Sequence, residues 1–126
     1  MRVLLDANAL MLPAQFRIDI FDELQGLLGS FEPLILESVM QELEGLSRAG
    51  GKTGAAARCA LVLAKQCTIV SDDQPHVQVD EQVVRYAVKN KCIVMTNDRR
   101  VRDALFAKGI GVISLRKQKK MELLQR

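Results

Sequence analysis

Aromatic residues are scarce in this chain of 126 residues, which has no tryptophan, one tyrosine (Tyr86) and four phenylalanines. It is poorly equipped to read a nucleic acid by stacking successive bases on aromatic platforms. Histidine is scarcer still. His76 is alone, so no Ser-His-Asp or Cys-His arrangement competes as a mechanism. Lying in a polar loop near Asp72 and Asp73, it reads as a solvated side chain before a metal ligand. The three cysteines are odd in number and contain no C-x-x-C, which argues against a disulfide framework or a zinc site. Cys59 lies in an apolar stretch and Cys92 opens a strand-like one, so both are expected to be small buried hydrophobes. No run approaches the roughly 18 apolar residues of a membrane span. The N-terminal Met1–Leu5 meets Asp6 after three apolar residues. A signal-peptide core needs about 7–15, so the chain reads as cytoplasmic, with an intact N-terminus and no membrane association.

What is present is ordinary for a globular protein, with 48% hydrophobic and 26% charged residues, and the length fits one compact domain over residues 1–126. The net charge of +3 conceals an asymmetry. From Arg99 to Arg126 nine Lys/Arg face only Asp103 and Glu122, a balance of +7, and the preceding 98 residues carry nine basic and thirteen acidic groups, a balance of −4. A basic end, concentrated in residues 116–126, beside an acidic body suits a protein that holds a polyanion and binds cations. Charge alone fits a solvated tail equally well.

Short apolar runs alternate with amphipathic stretches. Strands are expected at Val3–Leu5, Leu34–Leu36, Thr68–Val70, Cys92–Met95 and Val112–Leu115. Helices are expected at Ile18–Gly29, Ser38–Arg48, Thr53–Gln66, Asp80–Asn90 and Arg99–Lys108, with Ser38 and Thr53 as caps and Gln41 completing a capping box. Apolar strands separated by helices imply a five-stranded parallel sheet in a three-layer α/β/α arrangement. In such sheets ligands bind outside the carboxyl ends of the strands.

Four carboxylates fall at those places. Asp6 follows the first strand, Glu42 lies early in the helix after the second, Asp80 opens the fourth helix and Asp98 follows the fourth strand. Asp80 and Asp98 also fit as helix caps. Glu42 sits about 60° from Val39 and 40° from Leu46 on a helical wheel, at the edge of the apolar stripe, whereas Glu44 points away. Carboxylates converging on one crevice repel one another and raise one another's pKa. A hard divalent cation, Mg²⁺ or Mn²⁺, removes that penalty. Held by the acids, it can support in-line phosphodiester displacement.

Leu4-Leu5-Asp6-Ala7-Asn8, Val39 to Leu46, Val79-Asp80-Glu81, Val94-Met95-Thr96-Asn97-Asp98-Arg99 and Gly109 to Ile113 occur in an order that resembles the PIN domain. The resemblance spans nearly the whole chain. It implies cleavage of RNA with Mg²⁺ or Mn²⁺, metal-liganding and catalytic roles for Asp6, Asp80 and Asp98, and Glu42 as a ligand or its close partner. Asn8, Thr96 and Asn97 would orient the acids. The family includes VapC-type toxins and ribosomal RNA maturation nucleases, and the Asp80-Glu81 pair with the basic end is more similar to compact archaeal VapC-like members. A homodimer is implied, and an antitoxin partner follows if the chain is VapC-like. Arg99, Arg100, Arg102, Arg116, Lys117, Lys119 and Lys120 are the candidate contacts to RNA phosphates.

Other functions compete. Gly51-Lys52-Thr53 imitates the end of a P-loop, but Gly45 and Gly51 enclose five residues instead of four and the segment lies between two helices. A mobile loop offering Arg48 and Lys52 to phosphates fits it better, and simple solvation better still. A phosphohydrolase wants Asp-x-Asp after the first strand, where position 8 is Asn. A phospho-acceptor receiver would use Asp72 or Asp73 but lacks its acidic pair near the first strand. A non-catalytic RNA-binding or scaffold domain would share the fold and bind RNA without metal.

Overall fold

The protein is described here by a computed structural model. Residues 117–119 and 125–126, Lys117 and Lys119 among them, and the side chains of Arg116 and Lys120 lie outside the described residues.

Val3, Leu4 and Leu5 of strand β1 (Arg2–Leu5) are fully buried, as a central strand covered on both faces must be. β1 pairs in parallel with β2 (Glu32–Leu36) on one side and β4 (Ile93–Met95) on the other. Outside these lie β3 (Thr68–Val70) against β2 and β5 (Val112–Arg116) against β4, both parallel. The order is β3-β2-β1-β4-β5-β6. The chain thus builds outward from β1 to β3, then returns to begin its second half beside β1. That reversal opens a crevice above the carboxyl ends of β1 and β4.

Helices α1 (Ala7–Phe16), α2 (Ile20–Leu28), α3 (Glu37–Ser47) and α4 (Gly51–Ala64) belong to the first half; α5 (Val79–Asn90) and α6 (Arg99–Ala107) belong to the second. Right-handed crossovers put the two groups on opposite faces of the sheet. Accordingly α1, α3 and α4 pack on one another, and α5 packs on α6.

Five parallel strands are present as the sequence implies, but the sheet has six. Strand β6 (Lys120–Leu124) runs antiparallel to β5, with Leu115 opposite Met121 and Val112 opposite Leu124. Part of the segment read as a basic tail therefore closes the sheet edge, and Met121 is buried. A sixth helix, α1, also goes unread in the sequence. The capping expectations fail twice: α3 begins at Glu37 with Leu36 before it and no side-chain cap, and α4 begins at Gly51 after Gly50. A Cβ at Gly54 would strike the Ala49 carbonyl, and Arg58 Nη1 donates to the Ser47 carbonyl at 2.8 Å. Gly54, in the first turn of α4, thus admits the close approach of the α3–α4 turn. Cys92 is buried as expected, but Cys59 is exposed on the outer side of α4, whose inner side is Ala56, Ala57, Ala60 and Ala64.

Candidate active site

Asp6 stands at the reversal of the sheet. Its backbone N–H donates to the Met95 carbonyl of β4 at 3.4 Å, and its Oδ1 caps α1 by accepting from the Ala9 N–H at 2.8 Å. The residue is 7% exposed. Burial pushes its carboxyl up to about 7; hydrogen bonds from Thr96 and Ala9 oppose that, while the charges of Asp80 and Asp98 add to it. Two carboxylates far away in sequence therefore act on Asp6 through space.

The Thr96-Asn97-Asp98 segment fixes this relation. Thr96 is fully buried; its hydroxyl bonds the Asp6 carboxylate and accepts from the Asp98 N–H at 3.0 Å. Asn97 clasps β5, with Nδ2 donating to the Leu115 carbonyl at 3.2 Å and Oδ1 accepting from the Leu115 N–H at 2.8 Å. Its own N–H donates to Asn8 Oδ1 at 3.1 Å, which ties the loop after β4 to the first turn of α1. Asp98 is the N-cap of α6: Oδ1 accepts from the N–H groups of Arg100 at 2.9 Å and Val101 at 3.5 Å. Oδ2 of Asp98 has no hydrogen bond among the described residues. The cap and the crevice carboxylate are thus one residue, and the helix N-terminus favours its charge.

Asp80 enters from the opposite face. It lies in the first turn of α5 and does not cap it, because Gln78 holds the cap position. Glu42 is exposed on α3, yet desolvation of its carboxyl and, second, the charge of Asp80 raise its pKa. Asp80 thus reaches both Asp6 and Glu42, and Asp98 reaches Asp6. Among the described residues, however, no three His, Cys, Asp or Glu side chains form a group placed to hold a metal ion directly. Arg99 and Arg100 are exposed at the start of α6. Arg102 is turned aside, lining a cleft with Ser114, Leu115 and Glu122. His76 is exposed.

Three residues of the site's support were not foreseen. Ser114 Oγ donates to the Thr96 carbonyl at 2.8 Å; a lone hydroxyl in the apolar Val-Ile-Ser-Leu run is the signal that was there to read. Gln82 is buried, and its Nε2 donates to the carbonyls of Pro75 at 3.2 Å and Val77 at 2.8 Å. Arg85 pairs with Asp72 at 3.3 Å and Asp73 at 3.0 Å. These bonds hold the loop before α5 and hence the placement of Asp80. Gln82→Ala leaves two loop carbonyls without partners and is expected to destabilise the protein by roughly 1–3 kcal/mol, read from the midpoint of urea unfolding. No change in the midpoint would show that the loop is held elsewhere.

A doubly wound sheet with Asp6 and Asp98 at its switch point defines a class of α/β protein in which ligands bind outside the carboxyl ends of the strands. The sequence pattern described as a PIN-like domain matches residues 3–118, and the chain belongs to that family. It is 30% identical to Ribonuclease VapC4 of Methanocaldococcus jannaschii, over 97% of this chain and 95% of that protein. It is 32% identical to Ribonuclease VapC9 of Archaeoglobus fulgidus, over 92% of this chain and 84% of that protein. The structure of the PIN domain endonuclease Utp24 superposes with a TM-score of 0.82 at 28% identity, covering 98% of this chain and 92% of that one. VapBC2 from Rickettsia felis, solved on a DNA fragment from its promoter, shares the fold at a TM-score of 0.64 and 14% identity, over 90% of this chain and 98% of that one.

Proposed function

We propose that the protein is a divalent-metal-dependent endoribonuclease that works through Asp6, Asp80, Asp98 and Glu42. The observation that carries this is the buried Asp6 carboxyl, raised in pKa at the sheet's switch point with the charges of Asp80 and Asp98 pressing on it. The ribonuclease names of the two archaeal relatives and the endonuclease Utp24 support the same activity.

The donor set fits Mg²⁺ or Mn²⁺. Every candidate ligand is a carboxylate oxygen, the choice of hard cations, and Mg²⁺ keeps several waters while using only one or two carboxylates directly. Asp6 and Asp98 would hold the ion, with Asp80 and Glu42 acting directly or through water. When bound, the cation supplies the positive charge that a phosphodiester displacement needs at its attacking and leaving oxygens. Thr96 keeps Asp6 aimed and ionised, and Asn97 and Asn8 hold the loop after β4 against the first turn of α1. Arg99 and Arg100 hold RNA phosphates beside the acids, and Arg116, Lys117, Lys119 and Lys120 extend that grip along the backbone. The VapC kinship makes an antitoxin protein the proposed partner and a homodimer the proposed assembly, in the cytoplasm. No described helix is long and apolar enough to cross a membrane.

Purified protein incubated with defined RNAs is expected to cut them with Mn²⁺ and not in EDTA. Cutting that persists unchanged in EDTA would overturn the metal-dependent mechanism. Neutralising Arg116, Lys117, Lys119 and Lys120 together is expected to flatten the slope of log affinity for RNA against log salt by about three to four, nearly one for each phosphate left unneutralised. An unchanged slope removes these residues from the RNA interface.

A further inference from the structure

Between α5 and α6 lies a groove of about 280 Å³ to which the roles above assign no occupant. Its floor is apolar, built from Val84, Val101 and Ala104, and its rim is charged, with Asp80 and Glu81 from the first turn of α5 facing Arg100 from the first turn of α6. The groove is continuous with the acidic crevice through two of these residues. Asp80 lines it while acting on Asp6, and Arg100 lines it while its backbone N–H is held by Asp98. The Arg100 side chain makes no ion pair among the described residues.

An apolar slot with a cation on one wall and a carboxylate on the other matches a nucleotide better than a peptide or a lipid. The volume lies near the lower limit of small-ligand pockets, which suits one nucleoside. An arginine at the mouth suits a phosphate. A carboxylate only accepts hydrogen bonds, and guanine is the base whose Watson–Crick edge offers two adjacent donors, N1–H and the 2-amino group. Unpaired bases in RNA are read on that edge once they are splayed out of the stack.

We infer that the α5–α6 groove is a base-specific subsite for a guanosine flanking the cleaved phosphodiester bond. Val84, Val101 and Ala104 hold the base, Arg100 its phosphate, and Glu81 its Watson–Crick edge. Glu81 is on this account a specificity-determining residue. The assignment of the occupant as part of an RNA substrate rests on the ribonuclease activity proposed above.

Two readouts separate the groove from the nuclease activity. The first is NMR of the Val84, Val101 and Ala104 methyl groups in the whole protein during titration with guanosine or uridine 5′-monophosphate. Guanosine monophosphate is expected to shift these methyls saturably and uridine monophosphate to bind roughly tenfold or more weakly. Glu81→Gln is expected to erase that preference, and Ala104→Glu, on the exposed part of the floor, to abolish the shifts. The second is mapping of cut sites in a randomised RNA with Mn²⁺, where guanosine is expected at one position beside the cut in the wild type and not in Glu81→Gln. Cleavage without base preference, with the methyls unmoved, overturns the subsite and leaves the nuclease standing. Guanosine-selective shifts in a protein that cuts no RNA overturn the nuclease and leave a nucleotide site. Absence of both overturns both.

Discussion

Replacing Asp6 with Asn is expected to make the metal-free protein more stable at pH 8 while abolishing RNA cleavage. Asn keeps what the carboxylate does structurally: it caps a helix as well as Asp does, so the Ala9 N–H retains its acceptor. It can also accept the Thr96 hydroxyl. What it removes is a buried charge. Because the Asp6 carboxyl is pushed up to about 7 in the folded protein, chiefly by burial, folding favours its protonated form. The folded state therefore holds more protons than the unfolded one between about pH 4 and pH 7, and stability falls as pH rises through that window. Above it the wild type carries a penalty on the order of 4 kcal/mol that Asp6→Asn escapes. The expected result is a variant more stable by that order at pH 8, with the advantage vanishing toward pH 4, measured by urea unfolding in a metal chelator at several pH values. An advantage that does not change with pH, or a variant less stable at pH 8, would contradict a buried charge at this position.

The second large effect concerns Asp98. Asp98→Asn preserves the N-cap of α6, since Oδ1 can still accept from Arg100 and Val101. The fold should be intact, yet cleavage should fall by roughly a hundredfold or more, because outer partners of metal ligands alone cost about 10–100-fold. Wild-type protein should also gain stability from Mn²⁺. At about a hundredfold excess over Kd, ligation confers roughly 2.7 kcal/mol and raises Tm on the order of 10 °C. Asp6→Asn and Asp98→Asn should lose most of that rise. Equal Mn²⁺-induced shifts in all three proteins would place the ion elsewhere.

The sheet and the positions of its acids were legible in the sequence for one reason. A strand buried on both faces is a continuous apolar run, so Asp6 after Val-Leu-Leu and Asp98 after Ile-Val-Met-Thr-Asn stand out at the strand ends. α1 was not legible. Ala7, Ala9, Leu10, Met11 and Leu12 are all buried, so Asn8 is the one polar break in the run and no amphipathic stripe forms, while Pro13, carried inside the helix, reads in sequence as a helix breaker. β6 was hidden by its neighbours: Met121-Glu122-Leu123-Leu124 follows four basic residues in five, and its pairing with β5 is a tertiary fact. Gln82 counted as polar in the pattern of α5, yet it is buried because two loop carbonyls need its amide. Asp72 and Asp73 looked like candidate phosphate acceptors; Arg85, a dozen residues on, takes them as ion-pair partners, a contact no local spacing signals.

Anomalous diffraction at the manganese edge, on crystals grown with Mn²⁺, would locate the cation outright. A peak is expected above the carboxyl ends of β1 and β4, with Asp6 and the unbonded Oδ2 of Asp98 as its nearest protein oxygens. Manganese found away from both residues, or no peak at a concentration that supports cleavage, would contradict a metal-centred acidic site.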